Sequence, residues 1–170
     1  MSVRLVGFTV AALDAEGVGA TELCAVLGVS QPVDWPPPFS DRDVRHWFRA
    51  QLLADPALAP WLGSHVIAPI DCADTVVGTA GYKGPPDAAG RVDIGYALIT
   101  SYRRRGIGTQ VVRMLATQAF ADARVSRIVA ETPGDFVASR GLLEKSGFQL
   151  SGWRTDPEDG TLAVYVLERG

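Results

Sequence analysis

Arg103, Arg104, Arg105, Gly106 and Gly108 are the residues of this 170-residue chain whose types and spacing point most directly to chemistry. They sit in the stretch VDIGYALITSYRRRGIGTQVVRML at 92–115, between a strand-like run and a helical pattern. A helix N-terminus leaves its first amide N–H groups unpaired and carries partial positive charge, so it suits an anion. Glycine lets a phosphate approach the backbone, and three guanidinium groups add charge. Strand, RRRGIG and helix together outline a pyrophosphate cradle.

Two familiar phosphate sites do not fit. A nucleotide P-loop needs Lys-Ser or Lys-Thr after its last glycine, and Thr109-Gln110 stands here instead. A dinucleotide fingerprint needs Gly or Ala three residues after Gly108, where the chain has Val111. A nucleic-acid patch is a further use for three arginines and would bind with steep salt dependence. The formal net charge of −3 weighs against a nucleic-acid partner.

The elements around the turn follow from periodicity. In 91–99, Val92, Ile94, Tyr96 and Leu98 alternate with Asp93, Gly95, Ala97 and Ile99; both faces are mostly apolar, as in a central strand. A helix from Gly106 onward carries Ile107, Val111, Met114 and Leu115 on one face. Strands are expected over 3–12, 61–70, 75–82, 126–132, 147–153 and 160–168, and helices over 20–28, 41–54 and 136–146. Gly28 should end the first helix, and Ser40 should cap the second. KGPPDAAG, from Lys83 to Gly90, reads as a hairpin turn. QPVDWPPPFS at 31–40 cannot continue helix or sheet and is a stiff loop, either a linker or, through Trp35 and Phe39, a wall of a binding cleft. The order implies a single α/β (α+β) domain with a mixed sheet of about six to seven strands flanked by helices.

Composition narrows the class. An apolar fraction of 47% and a charged fraction of 21% describe a globular chain with one core. Cys24 and Cys72 are too few for a disulfide framework and are read as two buried thiols. His46 and His65 have no partners at metal-ligand spacing, so no metal is expected. The apolar N-terminus is broken by Asp14 and Glu16, and no apolar run reaches the ~20 residues of a membrane span. A cytoplasmic protein without membrane contact is the expectation.

Arg103-x-x-Gly106-x-Gly108 resembles the Arg/Gln-x-x-Gly-x-Gly/Ala signature of the Gcn5-related N-acetyltransferases. The resemblance continues in DIGYAL before the turn, IVAET after the helix and VASRGLLEKSGFQLSGW at 137–153, so it covers roughly 75–153. Within the family, the pattern resembles the branch containing ribosomal-protein and other protein N-terminal acetyltransferases, which also includes enzymes that modify antibiotics and small amines. The resemblance implies a single domain over 1–170. Residues 75–153 would bind acetyl-CoA, and about 1–60 would select the acceptor.

By that resemblance, the backbone of Leu98 and Ile99 would pair with the pantetheine arm. The pyrophosphate would lie on the amides of Arg104, Arg105, Gly106, Ile107, Gly108 and Thr109, with Arg103 nearby or in a salt bridge. Glu131 stands where relatives carry a glutamate proposed to deprotonate the amine through water; an ordinary rim carboxylate is the alternative. Asp93 is a second carboxylate, better placed to orient the acceptor. Two family positions differ: Phe136 replaces an asparagine, and Leu143 replaces the tyrosine that protonates the thiolate. Ser139 is retained as a donor for the coenzyme and its sulfur, with a plain helix-face hydroxyl as the alternative.

The implied activity is acetyl-CoA-dependent N-acetyl transfer to a primary amine, a protein N-terminus or a small molecule, by direct attack. Acetyl-CoA is the co-substrate. The lost asparagine and tyrosine leave a non-catalytic acyl-CoA-binding module as the alternative. Sheet-edge dimers are common in the family, which leaves a homodimer open.

Overall fold

The computed structural model describes residues 2–38 and 40–170, so Phe39 lies outside the described residues. Seven strands form one sheet: β1 (Arg4–Gly7), β2 (Gly63–Ile70), β3 (Ala73–Tyr82), β4 (Arg91–Leu98), β5 (Arg127–Pro133), β6 (Gln149–Asp156) and β7 (Gly160–Glu168). Their spatial order is β1-β2-β3-β4-β5-β7-β6. Every pairing is antiparallel except β4 with β5, whose parallel crossover needs the helix α4 (Ile107–Phe120). The other helices are α1 (Val10–Val18), α2 (Ala20–Leu27), α3 (Arg42–Ala54) and α5 (Val137–Lys145).

The sheet has apolar partners on both faces. Ile107, Val111, Val112, Leu115 and Ala119 of α4 and Leu143 of α5 pack with Val66, Ala68, Val92, Ile94, Ile128 and Ala130. Ile67 of β2 instead joins Cys24 of α2 and Val76, and Leu13 and Leu52 bring α1 and α3 together with Phe8 and Leu62. Strand side chains alternate between faces, so α4 and α5 cover one face and the N-terminal helices the other. No helix among the described residues is long and apolar enough to cross a membrane.

Three local expectations change. The run 3–12 is not one strand: β1 ends at Gly7, and the Thr9 hydroxyl accepts from the Ala12 N–H, capping α1. An apolar face on so short a helix looks strand-like in sequence, and the cap decides it. Asp41, not Ser40, caps α3 through the Val44 N–H. Cys24 is buried as expected, but Cys72 is exposed in the tight β2–β3 turn, at φ 67°. The 31–40 loop is fastened to the segment before the arginine turn: the Val33 N–H donates to the Tyr102 hydroxyl, and Trp35 packs into the core.

Candidate active site

The parallel pair β4–β5 is short. It runs only from Arg91↔Arg127 to Ile94↔Ala130. Beyond it β4 stays with β3 as far as Leu98, while β5 stays with β7 as far as Pro133. The sheet therefore opens as a wedge between Gly95–Leu98 and Glu131–Pro133. The Lys83 N–H donates to the Asp93 carbonyl and the Ile99 N–H to the Val77 carbonyl, so odd-numbered residues of this run direct their main chain to β3. Even-numbered Tyr96 and Leu98 consequently direct theirs into the wedge. Leu98 thus turns its N–H to the wedge. Both main-chain groups of Ile99 are engaged, its carbonyl by the Tyr102 N–H.

At the end of the wedge a short 3-10 turn, Thr100–Tyr102, leads into the arginines. Arg104 and Gly106 adopt left-handed φ values of 61° and 77°. This conformation costs an L residue about 1–2 kcal/mol, and glycine relieves the cost at the helix cap. No side chain caps α4. The amides of Gly106, Ile107, Gly108 and Thr109 precede the first intrahelical bond, from the Gln110 N–H to the Gly106 carbonyl. The second glycine has a different task. A Cβ on Gly108 would lie 2.5 Å from Leu142 Cδ1, so this glycine permits α4 and α5 to pack closely.

The three arginines divide their work. Arg103 turns inward: its Nε donates to the Leu98 carbonyl at 3.1 Å, and its guanidinium sits 5.3 Å over the Phe136 ring. Phe136 therefore supports Arg103 by a cation–π contact at the asparagine position. Arg105 lies over Tyr102, at 5.6 Å, and Arg104 is exposed.

Polar side chains flank the wedge on opposite faces. Val92, Ile94, Ile128 and Ala130 point toward α4 and α5, so Asp93 and Glu131 point to the other face. Arg154 of β6 holds both oxygens of Glu131, at 3.1 and 2.6 Å, and also reaches Asp156. The Arg154 hydrogen bond holds the Glu131 pKa below its ordinary value of 4.5, with Lys83 and Arg91 adding attraction and partial burial opposing it. Arg91 pairs with Asp93 at 2.7 Å. On the helix-covered face, Ser139 of α5 is 8% exposed, and its Oγ lies 2.8 Å from the Tyr96 hydroxyl. Burial pushes the Tyr96 pKa up to about 12, although the Ser139 hydrogen bond opposes the shift.

A match to the acetyltransferase (GNAT) domain family runs over residues 4–149. The chain belongs to that family. A GNAT relative from Bacillus subtilis (strain 168), the uncharacterized N-acetyltransferase YjdG, is 38% identical over 76 residues, 45% of this chain and 45% of its own. The chain spans about half the length of the curated relatives it matches. Among solved GNAT structures, RimL, a ribosomal L7/L12 alpha-N-protein acetyltransferase in complex with coenzyme A, superposes with a TM-score of 0.68. That likeness covers 99% of this chain and 94% of RimL at 18% identity. The aminoglycoside acetyltransferase AAC(6')-Ib with coenzyme A gives 0.64 over 99% and 95% at 22% identity. At such identities the likeness establishes the GNAT fold.

Within this GNAT fold, Arg103 to Thr109 form one continuous turn at the mouth of the wedge, and Leu98 lines it. Glu131, Asp93 and Ser139 come from three elements around it. Sequence reasoning missed Tyr96 and Arg154. Tyr96 carried a signal: a tyrosine at an inward-facing strand position must find a partner for its hydroxyl. Arg154 carried none, because its pairing depends on β6 reaching Glu131 across β7.

Proposed function

We propose that this chain transfers an acetyl group from acetyl-CoA to a primary amine by direct attack. The observation that carries this reading is the wedge, where the Leu98 N–H faces the opening, its carbonyl held by Arg103, and the strand runs on into uncapped amides at Gly106–Thr109. The residues fit the coenzyme: main-chain groups for the pantetheine arm, and helix amides with exposed Arg104 and Arg105 for the pyrophosphate. Acetyl-CoA supplies the activated acetyl group. The Leu98 N–H is the donor for its carbonyl oxygen as negative charge develops there.

The acceptor amine enters from the face carrying Glu131 and Asp93. Glu131, held ionised by Arg154, attracts and orients a cationic amine and receives its proton through water. Asp93, braced by Arg91, contributes a second negative charge to that approach. Ser139 supports the leaving sulfur from the other face. A protein N-terminus or a small-molecule amine is the acceptor class, by likeness to RimL and AAC(6')-Ib. No covalent enzyme intermediate is needed, and Cys24, on the buried side of α2, has its thiol directed to the Ser30 carbonyl.

Calorimetry with acetyl-CoA tests the reading. Saturable binding, competed by free coenzyme A, is expected; no heat at millimolar ligand would sink it. A non-catalytic acyl-CoA-binding module is the second reading, favoured by Leu143 at the tyrosine position and by the arginine clamp on Glu131. Turnover on a panel of free-N-terminus peptides and aminoglycosides rules the module out, and coenzyme binding without turnover on any of them supports it.

A further inference from the structure

Ser139 is the third residue of α5, and the carbonyl four residues earlier lies before the helix cap, so its hydroxyl has no helix carbonyl to bond back to and must find its partner elsewhere. Its Oγ is turned to a phenol from β4, and its surroundings are almost closed to water. Tyr96 is also one of the two β4 residues whose main chain faces the wedge, so the pair sits against the opening.

The direction of the bond follows from chemistry. A neutral phenol is a stronger hydrogen-bond donor than an aliphatic hydroxyl, and a hydroxyl offers one proton and two lone pairs. The contact geometry admits either hydroxyl as donor, and this difference in donor strength assigns Tyr96 as the donor to Ser139 Oγ. The single Ser139 proton is then free for a third partner. Were the bond reversed, Ser139 would spend that proton on Tyr96 and could offer only lone pairs.

We infer that Tyr96 is a positioning residue that, by donating to Ser139, fixes the serine as a hydrogen-bond donor toward the coenzyme sulfur. The inference rests on the acetyl-transfer reading above. As the amine forms its N–C bond, the C–S bond breaks and its electron pair passes to sulfur. The amine proton leaves through water, and Ser139 keeps its own proton while stabilising the thiolate. The pair thus takes over support of the leaving group where Leu143 offers no hydroxyl.

The test needs no acceptor. Free coenzyme A is bound to the full chain, and its thiol is titrated by thiolate ultraviolet absorbance in wild type, Tyr96→Phe, Ser139→Ala and the double variant. A hydrogen bond to the anion should make the wild-type complex richest in thiolate. Ser139→Ala should lower the bound thiolate-to-thiol ratio about tenfold at a given pH. Tyr96→Phe should lower it in the same direction, and the double variant should match Ser139→Ala, because Tyr96 acts only through the serine. Unchanged titration in Tyr96→Phe, or additive losses in the double variant, would overturn the inference while leaving coenzyme binding intact. Loss of coenzyme binding in Tyr96→Phe alone would make Tyr96 a wall of the site and also overturn it. Failure of the wild type to bind coenzyme A would instead sink the acetyl-transfer reading, and this inference with it.

Discussion

The turn at Arg104–Thr109 and the side chains flanking the wedge offer binding groups of different kinds. The turn offers main chain: two left-handed residues and four uncapped amides, all within one short segment. The flanks offer side chains from β4, β5, β6 and α5, with Glu131 clamped on one face and Ser139 paired on the other. A main-chain site survives many changes of side chain but few of backbone conformation. A side-chain site is lost when a single contributing side chain is removed.

Breaking the turn should have the largest effect. Gly106→Trp forces an L residue into φ 77° and puts an indole over the amides. Coenzyme A affinity measured by calorimetry should fall about a hundredfold or more, equivalent to about 3 kcal/mol. An affinity within threefold of wild type would show that the amides do not hold the pyrophosphate.

Gly108→Ala separates the two glycines. Its methyl would press on Leu142 Cδ1, the flexible end of a side chain. Overpacking of this kind costs about 1–3 kcal/mol, so the thermal midpoint should drop while coenzyme affinity changes less than in Gly106→Trp. Adding Leu142→Ala should relieve the clash. If affinity falls as far as in Gly106→Trp with stability intact, the packing account is wrong.

The clamp on Glu131 sharpens the other side of the comparison, with a smaller effect because Arg154 is half exposed and screened by salt. Glu131 has a lowered pKa in the folded chain. Its pairing therefore stabilises the fold fully above the unfolded carboxylate pKa, and that contribution is lost as pH falls through the lower folded value. Arg154→Ala should raise the Glu131 titration toward 4.5 in carboxyl-resolved NMR and flatten the acid side of the stability profile. An unmoved Glu131 titration would mean that Arg154 does not set its charge.

Local signals made the turn readable. RRRGIG between an apolar run and a helical period marks a glycine turn that opens a helix, and nearby residues suffice to build it. Central β4, the helix end at Gly28 and the Lys83–Gly90 hairpin were legible for the same reason. Other features turned on contacts with no local signature. The α1 start depended on one hydroxyl at Thr9, in a run whose apolarity suits a strand equally well. Ile99 and Leu98 look alike in sequence, and the pairing of β4 with β3 decides which one turns its N–H to the wedge. Phe136 reads as a lost contact until Arg103 is seen stacked on it.

The sequence by itself determined the strand–turn–helix cradle and the identity of the polar residues near it, because φ preference, helix dipole and apolar period act over a few neighbouring residues. Only the tertiary structure decided where the sheet opens, which face each carboxylate and hydroxyl occupies, and that Glu131 meets Arg154 and Ser139 meets Tyr96. Those outcomes depend on strand order and ladder register, which join residues 23 and 43 positions apart in the chain.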